Sequence, residues 1–173
     1  DTSDTGTGTI TDNDGTPDLT GLNATTAEGG NLSFAISLSN PSATAITVDY
    51  STTPGTASVS DYATASGSVT FAPGVTSQTI TVPSTGDTID ENTEMFSLSL
   101  SSSDTVNILN GTLTGTITDD DGAPSVSIAD AMASEGDNLV FSVTLSNPSA
   151  GDIELQLNTA DGTAVAATAD YDS

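Results

Sequence analysis

Carboxylates are the only side chains in this sequence that carry charge at neutral pH, and they occur in clusters. The 173 residues include 24 Asp and Glu but no Lys, Arg or His, so no carboxylate has a cationic partner in its own chain. Asp87, Asp90, Glu91 and Glu94 form one cluster, and residues 119–121 form another. Crowded carboxylates must separate, take up protons or bind a cation from solution. Oxygen ligands without His or Cys favour a hard cation, and Ca²⁺ is the first candidate.

The composition argues against several classes of function. A net charge of −24 disfavours nucleic acid and anionic membranes as partners. Without His, Cys or Lys there can be no catalytic triad, thiol nucleophile, Schiff base or imidazole-bound zinc. Glycoside hydrolysis by paired carboxylates is disfavoured because aromatic residues are only 4% and Trp is absent. We therefore expect no enzyme and, in the absence of a long apolar stretch, no membrane insertion.

The chain repeats itself with a shift of 107 positions. The sequence GTITDNDG at residues 8–15 returns as GTITDDDG at residues 115–122. The sequence LSNPSA at residues 38–43 returns unchanged at residues 145–150. A period of this length corresponds to a whole domain, so the pattern indicates a tandem array.

The register of the repeat predicts the domain organisation. Residues 1–15 match the C-terminal strand of a preceding repeat, residues 17–121 a complete domain, and residues 124–173 the N-terminal half of a following domain. We interpret the chain as a section of a longer array.

Alternating apolar residues predict β-strands throughout the complete domain. Leu32, Phe34, Ile36 and Leu38 alternate with polar residues, and six similar short runs are separated by turn sequences. Seven strands in about 105 residues predict an all-β fold, an immunoglobulin-like β-sandwich in tandem. The aromatic residues are expected to pack in the core: Phe34, Tyr50, Phe71, Phe96 and, after a loop aspartate, Tyr62.

The expected strand order places the acids at one end of the sandwich. If successive strands run up and down, the loops after the first, third and fifth strands and the end of the seventh meet at one pole. That pole receives eight carboxylates: Glu28, Asp61, Asp87, Asp90, Glu91, Asp119, Asp120 and Asp121. The loops of the opposite pole contribute one acid, Asp104. Two unit charges 4 Å apart repel by about 4 kcal/mol at an effective dielectric near 20, so an empty cluster is unfavourable.

The same residues resemble a known family. Glu28-Gly29 before the second strand, GTA and DY at residues 55–62, D-x-x-D-E-x-x-E-x-F at 87–96 and GTITDDD at 115–121 together resemble the Calx-beta domain. That family includes Ca²⁺-sensing domains of sodium/calcium exchangers and tandem repeats of bacterial surface proteins. The resemblance implies that the eight carboxylates are Ca²⁺ ligands and that Glu94 orients the loop.

In the second repeat, the resemblance places ligands at Glu135 and Asp170, where a complete site needs residues outside this chain. The sequence departs from the family at two places. The loop has a single acid at Asp87 where the family often has a pair, and Asn13 replaces the middle acid of the first tail.

Taken together, these features predict a Ca²⁺-binding structural repeat of an extracellular stalk, adhesin or filament. Ca²⁺ would rigidify the domains and their joints, neighbouring repeats would be the partners, and exposed sheet edges could support a homopolymer. A regulatory Ca²⁺ sensor in a larger membrane or signalling protein is the alternative, although such a sensor would be expected to carry Lys and Arg. A third interpretation of the acidic pole is a solvated surface that binds no ion.

Overall fold

β-strands are the only regular elements in the computed structural model, which describes residues 5–11, 13–160 and 162–163. No helix in this described part is long and apolar enough to cross a membrane. The chain divides into two compact units. Unit 1 comprises Asp1–Gly86 and Thr93–Thr118, and unit 2 comprises Asp87–Asn92 and Asp119–Ser173.

Unit 1 is a sandwich of two sheets. Its strands are β1 (Asp18–Gly21), β2 (Ala24–Ala27), β3 (Asn31–Leu38), β4 (Ile46–Pro54), β5 (Ser66–Phe71), β6 (Ser77–Pro83), β7 (Glu94–Ser101), β8 (Asn107–Ile108) and β9 (Thr112–Thr118). One sheet has the order β6-β3-β1-β8 and the other β2-β9-β7-β4-β5. The predicted immunoglobulin-like sandwich is therefore confirmed.

The strand count differs from the seven predicted. The two additional strands, β2 and β8, are short and pair in parallel, β2 with β9 and β8 with β1. Neither strand has the alternation of large apolar and polar residues by which the other strands were predicted, since β2 reads ATTA and β8 has two residues. The longer strands alternate as expected, and β3 buries every second residue from Leu32 to Leu38.

The core lies between the two sheets, and three aromatic rings form its centre. Phe96 stacks on Tyr62 with ring centroids 4.1 Å apart and meets Phe34 edge-on at 6.1 Å. Phe71 is also buried, and Tyr50 packs against the core while remaining partly exposed. The five aromatic residues of unit 1 thus pack in or against the core as the sequence predicts.

Close packing against Phe96 requires a glycine in β9. A Cβ atom on Gly115 would lie 2.5 Å from the Phe96 ring. We expect Gly115→Ala to destabilise the chain by about 1–3 kcal/mol, because the ring must move within a filled core. Denaturant unfolding followed by circular dichroism would measure the loss. Gly8→Ala is the matched control, since Gly8 is the repeat equivalent and has nothing within 4 Å; equal losses in both variants would contradict the prediction.

Unit 2 contains a hairpin that repeats part of unit 1. β10 (Val126–Ile128) pairs with β11 (Val143–Leu145) in the register that β1 and β3 adopt 107 positions earlier. Val126 and Leu145 are 39% and 42% exposed, although their equivalents Leu19 and Leu38 are 0% and 5% exposed. The pairing of these strands is therefore local and forms even where their apolar face is uncovered. The predicted repeat boundaries stay a prediction.

Candidate metal centre

The first acidic segment, residues 119–121, follows β9 directly. β9 is paired on both sides, with β2 and β7, so the point at which the segment begins is fixed by the sheet. The backbone N–H of Asp121 donates to Oδ1 of Asp119 at 3.3 Å. Asp119 and Asp121 are half-buried, and Asp120 is exposed.

Asp121 has a perturbed pKa. Its carboxylate and that of Asp87 have oxygens within 4.8 Å of one another. Oδ2 of Asp121 is shielded from solvent and accepts no hydrogen bond from any described residue. Burial raises the pKa of Asp121, and the charges of Asp119, Asp120, Asp87 and Asp90 raise it further. The ionised form is therefore unfavourable unless a cation binds beside it.

The loop around Asp87 is shaped by its own side chain. Oδ1 of Asp87 accepts the backbone N–H of Ile89 at 2.7 Å, a hydrogen bond typical of an aspartate that opens a turn. The carboxylate is exposed. The turn thus presents Asp87 as a ligand from a loop and not from a strand.

Unit 1 contributes a second carboxylate pair, Asp61 and Glu94, with oxygens within 4.8 Å of one another. Asp61 accepts the backbone N–H of Ser58 at 2.5 Å and the hydroxyl of Ser60 at 2.9 Å. Burial by itself raises the pKa of Asp61, but hydrogen bonds from Ser58, Ser60 and Glu94 outweigh it and lower the pKa. Asp61 is thus held as a carboxylate in a fixed orientation, as a metal ligand requires.

Glu28 lies beside the end of β9 within unit 1. Its backbone N–H donates to the carbonyl of Thr118 at 3.1 Å, and Asp119 is the next residue after Thr118. Gly29 follows with a φ of 67° and contacts Gly86, the residue before Asp87. A Cβ atom on Gly86 would lie 3.1 Å from the Gly29 nitrogen, so the backbones approach closely. Glycines at both positions therefore allow the two backbone segments to approach closely within unit 1.

The remaining acids of the loop Asp87–Asn92 differ in their surroundings. Asp90 is half-buried and forms a parallel β-bridge with Ser149 within unit 2. The Ser149 hydroxyl lies 3.4 Å from an Asp90 carboxylate oxygen. Glu91 is half-buried. In the second repeat, Glu135 is exposed beside a turn at Gly136, and Asp170 lies outside the described residues.

The position of Glu94 adds a candidate ligand to the eight predicted carboxylates. The sequence suggested an orienting role for this residue, yet its carboxylate lies as close to Asp61 as a shared ligand would. The signal was present in the spacing D-x-x-D-E-x-x-E, because Glu94 is the first residue of β7 and follows the acidic loop directly. The contact between Asp90 and Ser149 has no signal in the alternation or charge pattern.

Comparisons with known proteins agree with this arrangement. The family model of the Calx-beta domain matches residues 24–121 and 119–173. The apo-form Calx CBD1 domain is 26% identical with a TM-score of 0.58, and the match covers 62% of this chain and 100% of that one. CBD12 from CALX1.2 is 27% identical with a TM-score of 0.57, covering 66% of this chain and 48% of that one. The calcium binding domain CBD12 of CALX1.1 is 27% identical with a TM-score of 0.57, and the match covers 65% of this chain and 50% of that one. No curated protein sequence matches the chain.

Proposed function

Because the chain belongs to the Calx-beta domain family, we propose that its acidic loops bind Ca²⁺. The observation that carries the proposal is the shielded, unpartnered Oδ2 of Asp121, which faces other carboxylates in a chain without cationic side chains. A bound cation would satisfy this oxygen and relieve the repulsion around it. The donor set consists of carboxylates alone, which fits a hard cation with six to eight oxygen ligands.

The geometry suggests two groups of ligands. Within unit 2, Asp87 and Asp121 would hold one ion, and Asp119, Asp120 and Asp90 would complete its coordination. Within unit 1, Asp61 and Glu94 would hold a second ion. Glu28 and Glu91 are ligands that the family resemblance implies.

A structural role in a tandem array is supported by the repeat and by the charge. Residues 119–122 join the complete domain to the following repeat, so an ion held there would restrict the joint. Without the ion, the adjacent carboxylates repel and the joint loses that restraint. We propose an extracellular stalk, adhesin or filament of non-enzymatic function, in which Ca²⁺ stabilises each repeat and its joint.

A regulatory Ca²⁺ sensor is the second candidate, because the similarity to a calcium binding domain supports Ca²⁺ binding in either role. Affinity separates the two roles. Extracellular modules bind Ca²⁺ with dissociation constants of roughly 10⁻⁴–10⁻³ M, whereas sensors bind at roughly 10⁻⁷–10⁻⁵ M. A dissociation constant in the first range would favour the stalk, and one in the second range would favour the sensor.

Association through sheet edges is a further part of the proposal. β10 and β11 form a two-stranded sheet whose apolar residues are partly exposed, including Val126 and Leu145. Unpaired strand edges of this kind accept strands from other chains. A homopolymer formed in this way would show concentration-dependent growth in light scattering, and a monomer at all concentrations would exclude it.

Isothermal titration of the metal-free chain tests the Ca²⁺ site. We expect saturable Ca²⁺ binding and much weaker Mg²⁺ binding, because Mg²⁺ requires a strict octahedral site and loses water reluctantly. Asp87→Asn should weaken Ca²⁺ binding by at least about tenfold, since affinity follows the number of charged ligands. Asp104→Asn removes the same charge from a residue that caps the Thr47 N–H, and it should leave the affinity unchanged. Equal weakening in both variants would indicate general charge screening and not a site.

A further inference from the structure

A turn in the second repeat holds the acidic loop through its backbone. We call residues 147–150 the second NPSA turn and Asp87–Asn92 the acidic loop. Within unit 2, the Asp90 N–H donates to the Pro148 carbonyl at 3.1 Å, and the Ala150 N–H donates to the Asp90 carbonyl at 3.0 Å. The Ser149 hydroxyl lies 3.5 Å from the Asp90 carbonyl oxygen and 3.4 Å from its carboxylate. Both hydrogen-bonding groups of the Asp90 backbone are therefore used by this turn.

The first repeat contains the same turn with the same internal geometry. We call residues 40–43 the first NPSA turn. Three hydrogen bonds recur with the shift of 107 positions. The side-chain amide of Asn40 donates to the Gly15 carbonyl at 3.1 Å, and that of Asn147 donates to the Gly122 carbonyl at 2.8 Å. The Ser39 hydroxyl donates to the side-chain oxygen of Asn40 at 2.8 Å, as Ser146 does to Asn147 at 2.7 Å, and the N–H groups of Thr44 and Gly151 donate to the hydroxyls of Ser42 and Ser149, both at 3.2 Å. In each repeat, the asparagine fixes the turn against the glycine of the preceding linker. The two turns therefore share the same internal hydrogen bonds.

The first NPSA turn borders an open groove in unit 1. The groove has a volume of about 980 Å³ and is lined by the linker residues 14–17, the turn itself, Gly74 and residues 103–105. Pro41 and Ala43 are exposed, and they are the equivalents of Pro148 and Ala150, which bind Asp90 in the second repeat. The turn itself contains no ionisable side chain. Asp14 and Asp104 line the groove beside it, so an acidic loop meets two like charges there that salt must screen.

From this equivalence we infer that the first NPSA turn is a docking site for the acidic D-x-x-D-E loop of another repeat, and that a second copy of this chain can supply that loop. The incoming aspartate equivalent to Asp90 donates its N–H to the Pro41 carbonyl and accepts the Ala43 N–H. The Ser42 hydroxyl faces its carboxylate, as Ser149 faces that of Asp90. Such docking orders repeats head to tail, because the acidic loop of one repeat always meets the NPSA turn of another.

The inference can be tested in the full chain, because the acidic loop can be released from its own turn. Ala150→Pro removes the N–H that donates to Asp90, and Ala43→Pro makes the same change in the first turn. The released loop of an Ala150→Pro chain should bind the first NPSA turn of another copy. We expect its translational diffusion to slow and its Thr44 amide resonance to shift as the concentration rises to about 1 mM, a range that detects weak specific association. Salt of roughly 0.15 M screens the net repulsion between copies.

The controls distinguish docking at the first NPSA turn from nonspecific association. The double variant Ala43→Pro, Ala150→Pro should diffuse as a monomer, and the wild-type chain should associate less than Ala150→Pro because its loop is held in place. A peptide of residues 84–93 added to the wild-type chain is a second probe, and it should shift the same Thr44 resonance. Association of the double variant equal to that of Ala150→Pro, or an unmoved Thr44 resonance with both probes, would overturn the inference. None of these measurements requires Ca²⁺, so failure of the proposed Ca²⁺ site would not affect them.

Discussion

Saturating Ca²⁺ is expected to raise the melting temperature of the metal-free chain by roughly 10–20 °C. A ligand at a hundred times its dissociation constant stabilises the folded state by about 2.7 kcal/mol. Each kcal/mol raises the melting temperature of a domain of this size by about 4–8 °C. Mg²⁺ at the same concentration should raise it much less, because the loop carboxylates suit a larger and more flexible coordination shell. Melts followed by circular dichroism in EDTA, Ca²⁺ and Mg²⁺ at matched ionic strength would measure the difference.

Asp121→Asn is the most informative control, because its effect on stability should be favourable in EDTA and unfavourable in Ca²⁺. In EDTA the variant should be more stable than the wild type, since it removes a charge that burial and neighbouring acids disfavour. In Ca²⁺ it should lose most of the stabilisation, because a ligand is missing. Lower stability of the variant in EDTA would mean that Asp121 is not repelled in the folded chain. An equal rise with NaCl alone would mean that the cations act by screening.

Phe96→Ala is expected to destabilise the chain by about 3–5 kcal/mol, the usual range for removing a buried phenylalanine. Phe96 is 1% exposed and contacts two other buried rings, Phe34 and Tyr62. Its loss leaves a cavity and removes both ring contacts. Since domains are commonly stable by only about 5–15 kcal/mol, this one change removes much of the total.

Met95→Ala provides the comparison for Phe96→Ala. Met95 is the neighbouring residue in β7 and is 48% exposed, so its removal should cost little. Chemical denaturation of the two variants and the wild type would measure both losses. Similar losses for Met95→Ala and Phe96→Ala would contradict a core centred on Phe96.

Much of the sandwich could be predicted because its longer strands have one face in the core. In β3 every apolar residue of the alternating pattern from Leu32 to Leu38 is buried. A shift of the strand pairing by one residue would expose Leu32 and Phe34. The short strands β2 and β8 could not be predicted, because their pairing depends on partners far away in the sequence. The stacking of Tyr62 on Phe96 depends likewise on tertiary packing, although the sequence did place both residues inside.

The sequence predicts that eight acids meet at one pole, because the order of strands decides which loops meet, and that grouping stays a prediction. The structure brings Asp87 close to Asp121 in unit 2, and Asp61 close to Glu94, which the sequence left out of the ligand set, in unit 1. The pKa directions could not be predicted, because they depend on local hydrogen bonds. Serines at positions 58 and 60 hold Asp61 ionised, whereas Asp121 has a shielded oxygen without such a partner.

The parallel pairing of β2 with β9 has a mechanical consequence. β2 lies near the start of the strands of unit 1 in the sequence, and β9 ends unit 1 at Thr118. Tension applied to the two ends would pull these parallel neighbours in opposite directions along their length. The hydrogen bonds that join Ala24–Ala27 to β9 would then be loaded together in shear. They would not break one after another. Strands joined in this way resist being pulled apart along their length more strongly than strands that are peeled apart one hydrogen bond at a time.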